Sequence, residues 1–143
     1  MKHNLILRVV SKFLIPLIFM FALYVQFHGD FGPGGGFQAG VIFSAAIILY
    51  ALVFGVDSAK QVIPPHVLRI LASLGVLIYA FTGVASLMLG GNYLEYTVLS
   101  STQVAGQHLG ILIVELGVGI TVMSVMLIIF FAFAERGRPA EDK

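Results

Sequence analysis

Apolar residues fall into four long runs along the chain, separated by polar or glycine-rich breaks. The first run covers 9–27, with Lys12 near its start. The second covers 36–56 and carries no charge. The third covers 67–89, with Arg69 at its mouth. The fourth covers 108–134 and encloses one acid, Glu115. A bilayer core of about 30 Å is crossed by about 20 apolar residues in helix. Each run therefore predicts one transmembrane helix. A lone strand could not satisfy its backbone in lipid, and a small β-barrel would alternate apolar and polar positions, which these runs do not. Lys12 can extend its ammonium to the membrane surface. The first run has the basic flank and apolar body of an export signal. Its end, Phe21–His28, reads FALYVQFH without a small-x-small cleavage pattern, so it is expected to stay as a first helix.

Composition agrees with this pattern. Hydrophobic residues make up 59% of the 143 residues and charged ones 10%, with a mean hydropathy of +1.00. A soluble domain averages roughly 45–50% apolar and about 25% charged, so a soluble fold and a disordered chain are both excluded. The absence of Cys excludes a disulfide scaffold and a thiolate site. A net charge of +1 gives no sign of nucleic-acid binding. The placement of the charges is more informative. Lys2, Arg8 and Lys12 precede the first helix, Lys60 and Arg69 lie between the second and third, and Arg136, Arg138 and Lys143 follow the fourth. The other two connections hold no basic residue. By the positive-inside rule both termini and the middle loop face the cytoplasm. The expected fold is all-α: one integral membrane domain over 1–143, multi-pass in the cytoplasmic membrane, with four transmembrane helices.

The connections carry the remaining signals. The first outer loop, His28–Gly36, has five glycines and Pro33 in nine residues, which excludes helix there. It lacks the Lys-Ser/Thr pair of a phosphate-binding loop and lies on the wrong side for nucleotide. It reads either as a tight turn launching the second helix or as a packed irregular segment near an ion route. Gly36, Gly40 and Ser44 repeat every four residues along one face of the second helix. Gly106, Gly110, Gly117, Thr121 and Ser124 do something similar on the fourth. Such small-residue ridges let helices pack closely within the chain or with a partner. The inner loop, 57–66, reads as a solvated connector, with Pro64 and Pro65 setting an extended approach to the third helix. The second outer loop, 90–107, is longer than the usual two to eight or so residues between helices. Its Tyr93, Leu94, Tyr96, Val98 and Leu99 need either the membrane interface or a covering neighbour.

Glu115 is the only acid well inside a predicted span. Measured from His108, it lies about 10 Å deep at a rise of 1.5 Å per residue. An ionised carboxylate there costs about 1–3 kcal/mol or more unless it is paired, hydrated or protonated. His108 precedes it by seven residues, two turns back on the same face. The pair reads as a short proton relay or, equally, as an acid that only bonds a neighbouring helix. His28 shares the glycine loop with Asp30. The four His have no metal-ligand spacing, and nothing suggests an enzyme, a metal or a cofactor.

The segment His28–Gly40, HGDFGPGGGFQAG, resembles the glycine-rich segment of the B subunit of Mrp-type multisubunit Na⁺/H⁺ antiporters. Gly106-Gln107-His108-Leu109-Gly110 and Ile113–Gly119 resemble the last helix of the same family. The resemblance extends over most of the chain. Gly32 departs from it, standing where the family often has a polar residue. The resemblance implies a small, non-enzymatic subunit needed for an assembled complex that exchanges internal Na⁺ for external H⁺. The expected partners are the other subunits, including ones resembling the antiporter-like subunits of respiratory complex I, together with the transported Na⁺ and H⁺ and the bilayer. By position it makes Pro33, Phe37, His108 and Glu115 candidates for the ion path, beside His28 and Asp30. Gly34, Gly35, Gly36, Gly40, Gly110 and Gly117 are the expected turn and packing residues. The competing reading is a free-standing four-helix multidrug-type transporter acting as a dimer. Those carry their essential acid in the first helix and often line the cavity with Trp, and this chain has neither feature.

Overall fold

The structure is a computed structural model that describes residues 5–29 and 32–136. The described residues form helices and no strand: α1 Leu5–His28, α2 Gly36–Phe54, α3 Val56–Val62, α4 Pro65–Met88, a 3₁₀ turn at Tyr96–Leu99, and α5 Gln103–Arg136. α1, α2, α4 and α5 are each long and apolar enough to cross a membrane, so the four expected spans are present. Pro16 sits inside α1, where it denies the Lys12 carbonyl its usual helical partner.

The inner connection differs from its expectation. α2 ends at Phe54 because Gly55 turns to φ 104, ψ 146 while its N–H still donates to the Ala51 carbonyl. α3 follows at once, and it is not simply a solvated connector. Its Ala59 is fully buried with Ile47, Ala51, Leu68, Leu127 and Phe131, which form the apolar core at this end of the bundle. Pro64 is extended at φ −64, ψ 144, and Pro65 opens α4 at a position where no N–H is needed. Charges gather at the same end. Lys60 pairs with Glu135 and lies over the Phe131 ring at 5.9 Å, and Arg8 lies over the Phe54 ring at 5.3 Å.

The spanning helices stand in a row, with α1 against α2, α2 against α5, and α5 against α4. Glycines set the two inner contacts. A Cβ on Gly40 would lie 2.6 Å from the Gly119 carbonyl oxygen, and one on Gly36 would overlap the Glu115 carbonyl. A Cβ on Gly117 would lie 2.8 Å from the Gly75 carbonyl oxygen of α4. The ridge read along Gly36 and Gly40 therefore serves a contact within the chain. Buried Ser44 and Ser124 turn their hydroxyls to their own helices, each donating over 2.7 Å to Val41 O and Ile120 O.

Gly106 and Gly110 face the second outer loop. The Tyr96 ring packs on Gly110, and the backbone of Tyr96 and Thr97 packs on Gly106, while the Tyr93 ring packs on Gly83 of α4. The apolar residues of the second outer loop are thus covered in part by the chain itself. Burial, together with the nearby Tyr79 and Tyr93, pushes the Tyr96 hydroxyl above its ordinary pKa of 10.0. Leu94 takes φ 62 in this loop, and Glu95 fixes the turn around it. The Glu95 carboxylate accepts from the Asn92 N–H at 2.8 Å, from Asn92 Nδ2 at 2.9 Å and from Thr97 Oγ1 at 3.2 Å. These bonds, the Asn92 N–H first, hold its pKa below the usual 4.5. A depressed acid stabilises the folded loop fully above the unfolded value and loses that contribution as pH falls through the folded one. Amide hydrogen exchange over 91–98, corrected for its intrinsic pH dependence, is expected to accelerate only below pH 4.5. The acid step should be absent in Glu95→Gln.

The heights of the helices position the site. The turn between α1 and α2 meets α5 at Glu115, twelve residues after α5 begins at Gln103. About 18 Å of α5 therefore rises beyond the α1–α2 turn. Glu115 lies well below the tip of α5, but it is level with the ends of α1 and α2.

Candidate ion-path site

The site begins where α1 ends. A helix terminus leaves its last carbonyls without partners, and here the glycine turn folds back over two of them. Gly32 N–H donates to His28 O at 3.1 Å, and Gly35 N–H donates to Val25 O at 3.3 Å. Glycine is required by space and by angle. A Cβ on Gly34 would lie 2.7 Å from Val25 O, and Gly35 has φ 129. The first bond of α2 then runs from Ala39 N–H to Gly35 O at 3.0 Å.

Glu115 reaches this turn from α5. A Cβ on Gly29 would lie 2.7 and 2.8 Å from its two carboxylate oxygens, and one on Gly35 would lie 3.0 Å from Oε1. The carboxylate is packed against bare backbone on both sides of the turn. It also sits at the N-terminal end of α2, where the helix dipole and the first amides favour negative charge. The side chain is half-buried.

Beyond the turn, the exposed flank of α5 and the end of α1 bound an open groove of about 540 Å³, lined in part by Gln26, Phe27, His108, Leu109, Leu112 and Glu115. His108 and Glu115 thus share one groove, His108 exposed and Glu115 against the glycine turn. His28 is placed elsewhere. It stacks on Tyr24 at 5.0 Å between ring centroids and lines a separate groove with Pro33 and Phe37. The candidate set therefore divides in two around α1. Asp30 lies outside the described residues. Among the described residues no group of three His, Cys, Asp or Glu could hold a metal ion.

Two residues of the site were not singled out in the sequence. Gly29 is in contact with the Glu115 carboxylate, and only its place in a glycine-rich loop hinted at it. Gln26 is 4% exposed, and its Nε2 has no hydrogen-bond partner among the described residues. Its Oε1 occupies the space over Gly119, where a Cβ would lie 2.7 Å away. The available signal was a lone amide near the end of an otherwise apolar run.

Residues 6–128 match a family described as a domain related to the MnhB subunit of Na⁺/H⁺ antiporter. Curated proteins of Staphylococcus aureus strains Newman, JH1 and USA300, named as the antiporter subunit mnhB2, are each 36% identical to this chain over 134 residues. The alignment covers 86% of this chain and 94% of theirs.

Proposed function

This chain belongs to the family of domains related to the MnhB subunit of Na⁺/H⁺ antiporters, and we propose that it is a small, non-catalytic membrane subunit of a multisubunit Na⁺/H⁺ antiporter, needed for both assembly and ion exchange. Its partners are the other subunits of that complex, including the complex-I-like ones, and its place is the cytoplasmic membrane. Arg8, Lys12, Lys60, Arg69 and Arg136 belong to one end of the bundle, which the positive-inside rule assigns to the cytoplasm. The glycine turn, His108 and Glu115 then belong to the outer half.

The observation that carries the ion-path part of this reading is the Glu115 carboxylate held against Gly29 and Gly35 at the start of α2. A carboxylate so placed has little freedom to leave, and the open groove gives water a route to it. His108 stands two turns further out on the same face of α5 and lines the same groove, where it extends the proton path towards the outer surface. Glu115 is the one acid well inside a span among the described residues, and its place in the outer half, short of the midplane, favours a contributing subunit over a complete transporter.

The test is the native particle. The chain is tagged at its own locus, the membranes are extracted in mild detergent, and the particle is sized and its components identified. A large particle containing complex-I-like antiporter subunits is expected. A small particle holding only copies of this chain would sink the proposal and leave Glu115 as the ion site of a free-standing transporter.

A further inference from the structure

Among the described residues, Gln26 has the buried side-chain nitrogen that finds no hydrogen-bond partner. The residue is 4% exposed, and the atom is its amide Nε2. Leaving such a donor unmet inside a protein costs about 1–3 kcal/mol, so its retention calls for a reason. Its position supplies one. Gln26 lines the same groove as His108 and Glu115, and its amide packs over Gly119. Gly119 lies one turn beyond Glu115 along α5, about 6 Å further into the bundle. Positions 108, 115 and 119 share one helix face. His108, Glu115 and Gln26 therefore form a polar line running inward from the groove mouth.

We propose that Gln26 is a positioning residue of the proton path: its amide N–H holds the water through which Glu115 exchanges its proton on the inner side of the glycine turn. This deepens the ion-path reading of Glu115 and rests on it. The amide donates to the water oxygen and does not itself titrate. The water's hydrogens are thereby directed towards acceptors, of which the ionised Glu115 carboxylate is the charged one in the groove. When Glu115 is protonated, its proton passes to that water, leaving carboxylate and hydronium. Reprotonation is the reverse. Gly119 is part of the arrangement, since any side chain there would displace the amide. The titratable groups that line the groove with Gln26 are Glu115 and His108 from α5, while His28 of α1 lines the separate groove with Pro33 and Phe37. α2 brings none in its first turns, and Asp30 in the turn lies outside the described residues.

The experiment uses the assembled complex in everted vesicles, with Gln26→Leu, Gln26→Glu and Glu115→Gln compared for antiport rate, its pH profile and subunit amounts. Gln26→Leu keeps the volume and removes the donor. It is expected to cut the rate at least tenfold at normal subunit amounts. Gln26→Glu supplies an O–H donor only while its carboxyl group is protonated, so it is expected to restore much of the rate with a profile shifted to lower pH, which mere packing would not produce. If Gln26→Leu fails to assemble, Gln26→Glu decides: an active complex with a shifted profile supports the proposal, and any other result overturns it. Wild-type exchange in Gln26→Leu with loss in Glu115→Gln overturns the role of Gln26 alone. Wild-type exchange in both overturns the ion-path reading as well.

Discussion

Glu115→Gln in the assembled complex is expected to reduce Na⁺/H⁺ exchange by at least tenfold while subunit amounts stay normal. The amide is the same size as the carboxyl group, so it fits against Gly29 and Gly35. Its oxygen still faces the start of α2. What disappears is the exchangeable proton and the charge. Everted vesicles, with a pH-sensitive dye for exchange and immunoblots for the subunits, separate the two effects. Loss of the complex together with the activity would mean that Glu115 serves only to join α5 to the glycine turn. Normal amounts and normal exchange would remove it from both roles. Glu115→Asp gives a graded check. It keeps the proton but withdraws the carboxylate by one methylene from a turn that it meets closely, so a partial rate is expected.

How far this site could be read from the sequence depends on which interactions set each part. The spans follow from apolar runs and bilayer thickness, so four helices were legible. The break after Phe54 was not, because Gly55 stands inside an apolar run and its φ of 104 is visible only in the fold. α3 was missed because a seven-residue helix has too few turns to show a periodicity. Its reason to form is burial of Ala59 among residues from α2, α4 and α5. The tyrosines of the second outer loop need cover on composition alone. That Gly83 and Gly110 provide it depends on how α4 and α5 cross, which no local pattern encodes.

The site shows the same division. His108 and Glu115 share a helix face by spacing alone, and the structure places them in one groove. The meeting of Glu115 with the glycine turn is non-local. It is fixed by the height at which the α1–α2 pair docks on α5, and that height is set by Gly36 and Gly40 against Glu115 and Gly119. Two motifs that looked separate in the sequence, the glycine-rich segment and the acid of the last span, are thus two sides of one contact. Gln26 follows from this docking, because Gly119 leaves room for its amide.

That dependence makes Gly36 the most sensitive position in the contact. In Gly36→Ala the added methyl group would meet the carbonyl of Glu115, which is backbone and cannot turn aside. α2 must lift away from α5, and the Gly40–Gly119 approach opens with it. Overpacking of this kind costs about 1–3 kcal/mol, applied here at the end of the α2–α5 contact where the two helices meet backbone to backbone, away from the side-chain core of Ile47, Ala51, Leu127 and Phe131. The expected result is a several-fold fall in the amount of the chain in membranes and a lower unfolding temperature in mild detergent. Ala45→Val, on the exposed side of α2, should leave that temperature unchanged. The surviving Gly36→Ala complex should also lose exchange out of proportion to its amount, because lifting α2 moves Gly35 away from the Glu115 carboxylate. Wild-type amounts and an unchanged unfolding temperature would show that α2 and α5 do not approach this closely. A fall in amount with full exchange per surviving complex would show instead that the contact holds the helices together without setting the position of the acid.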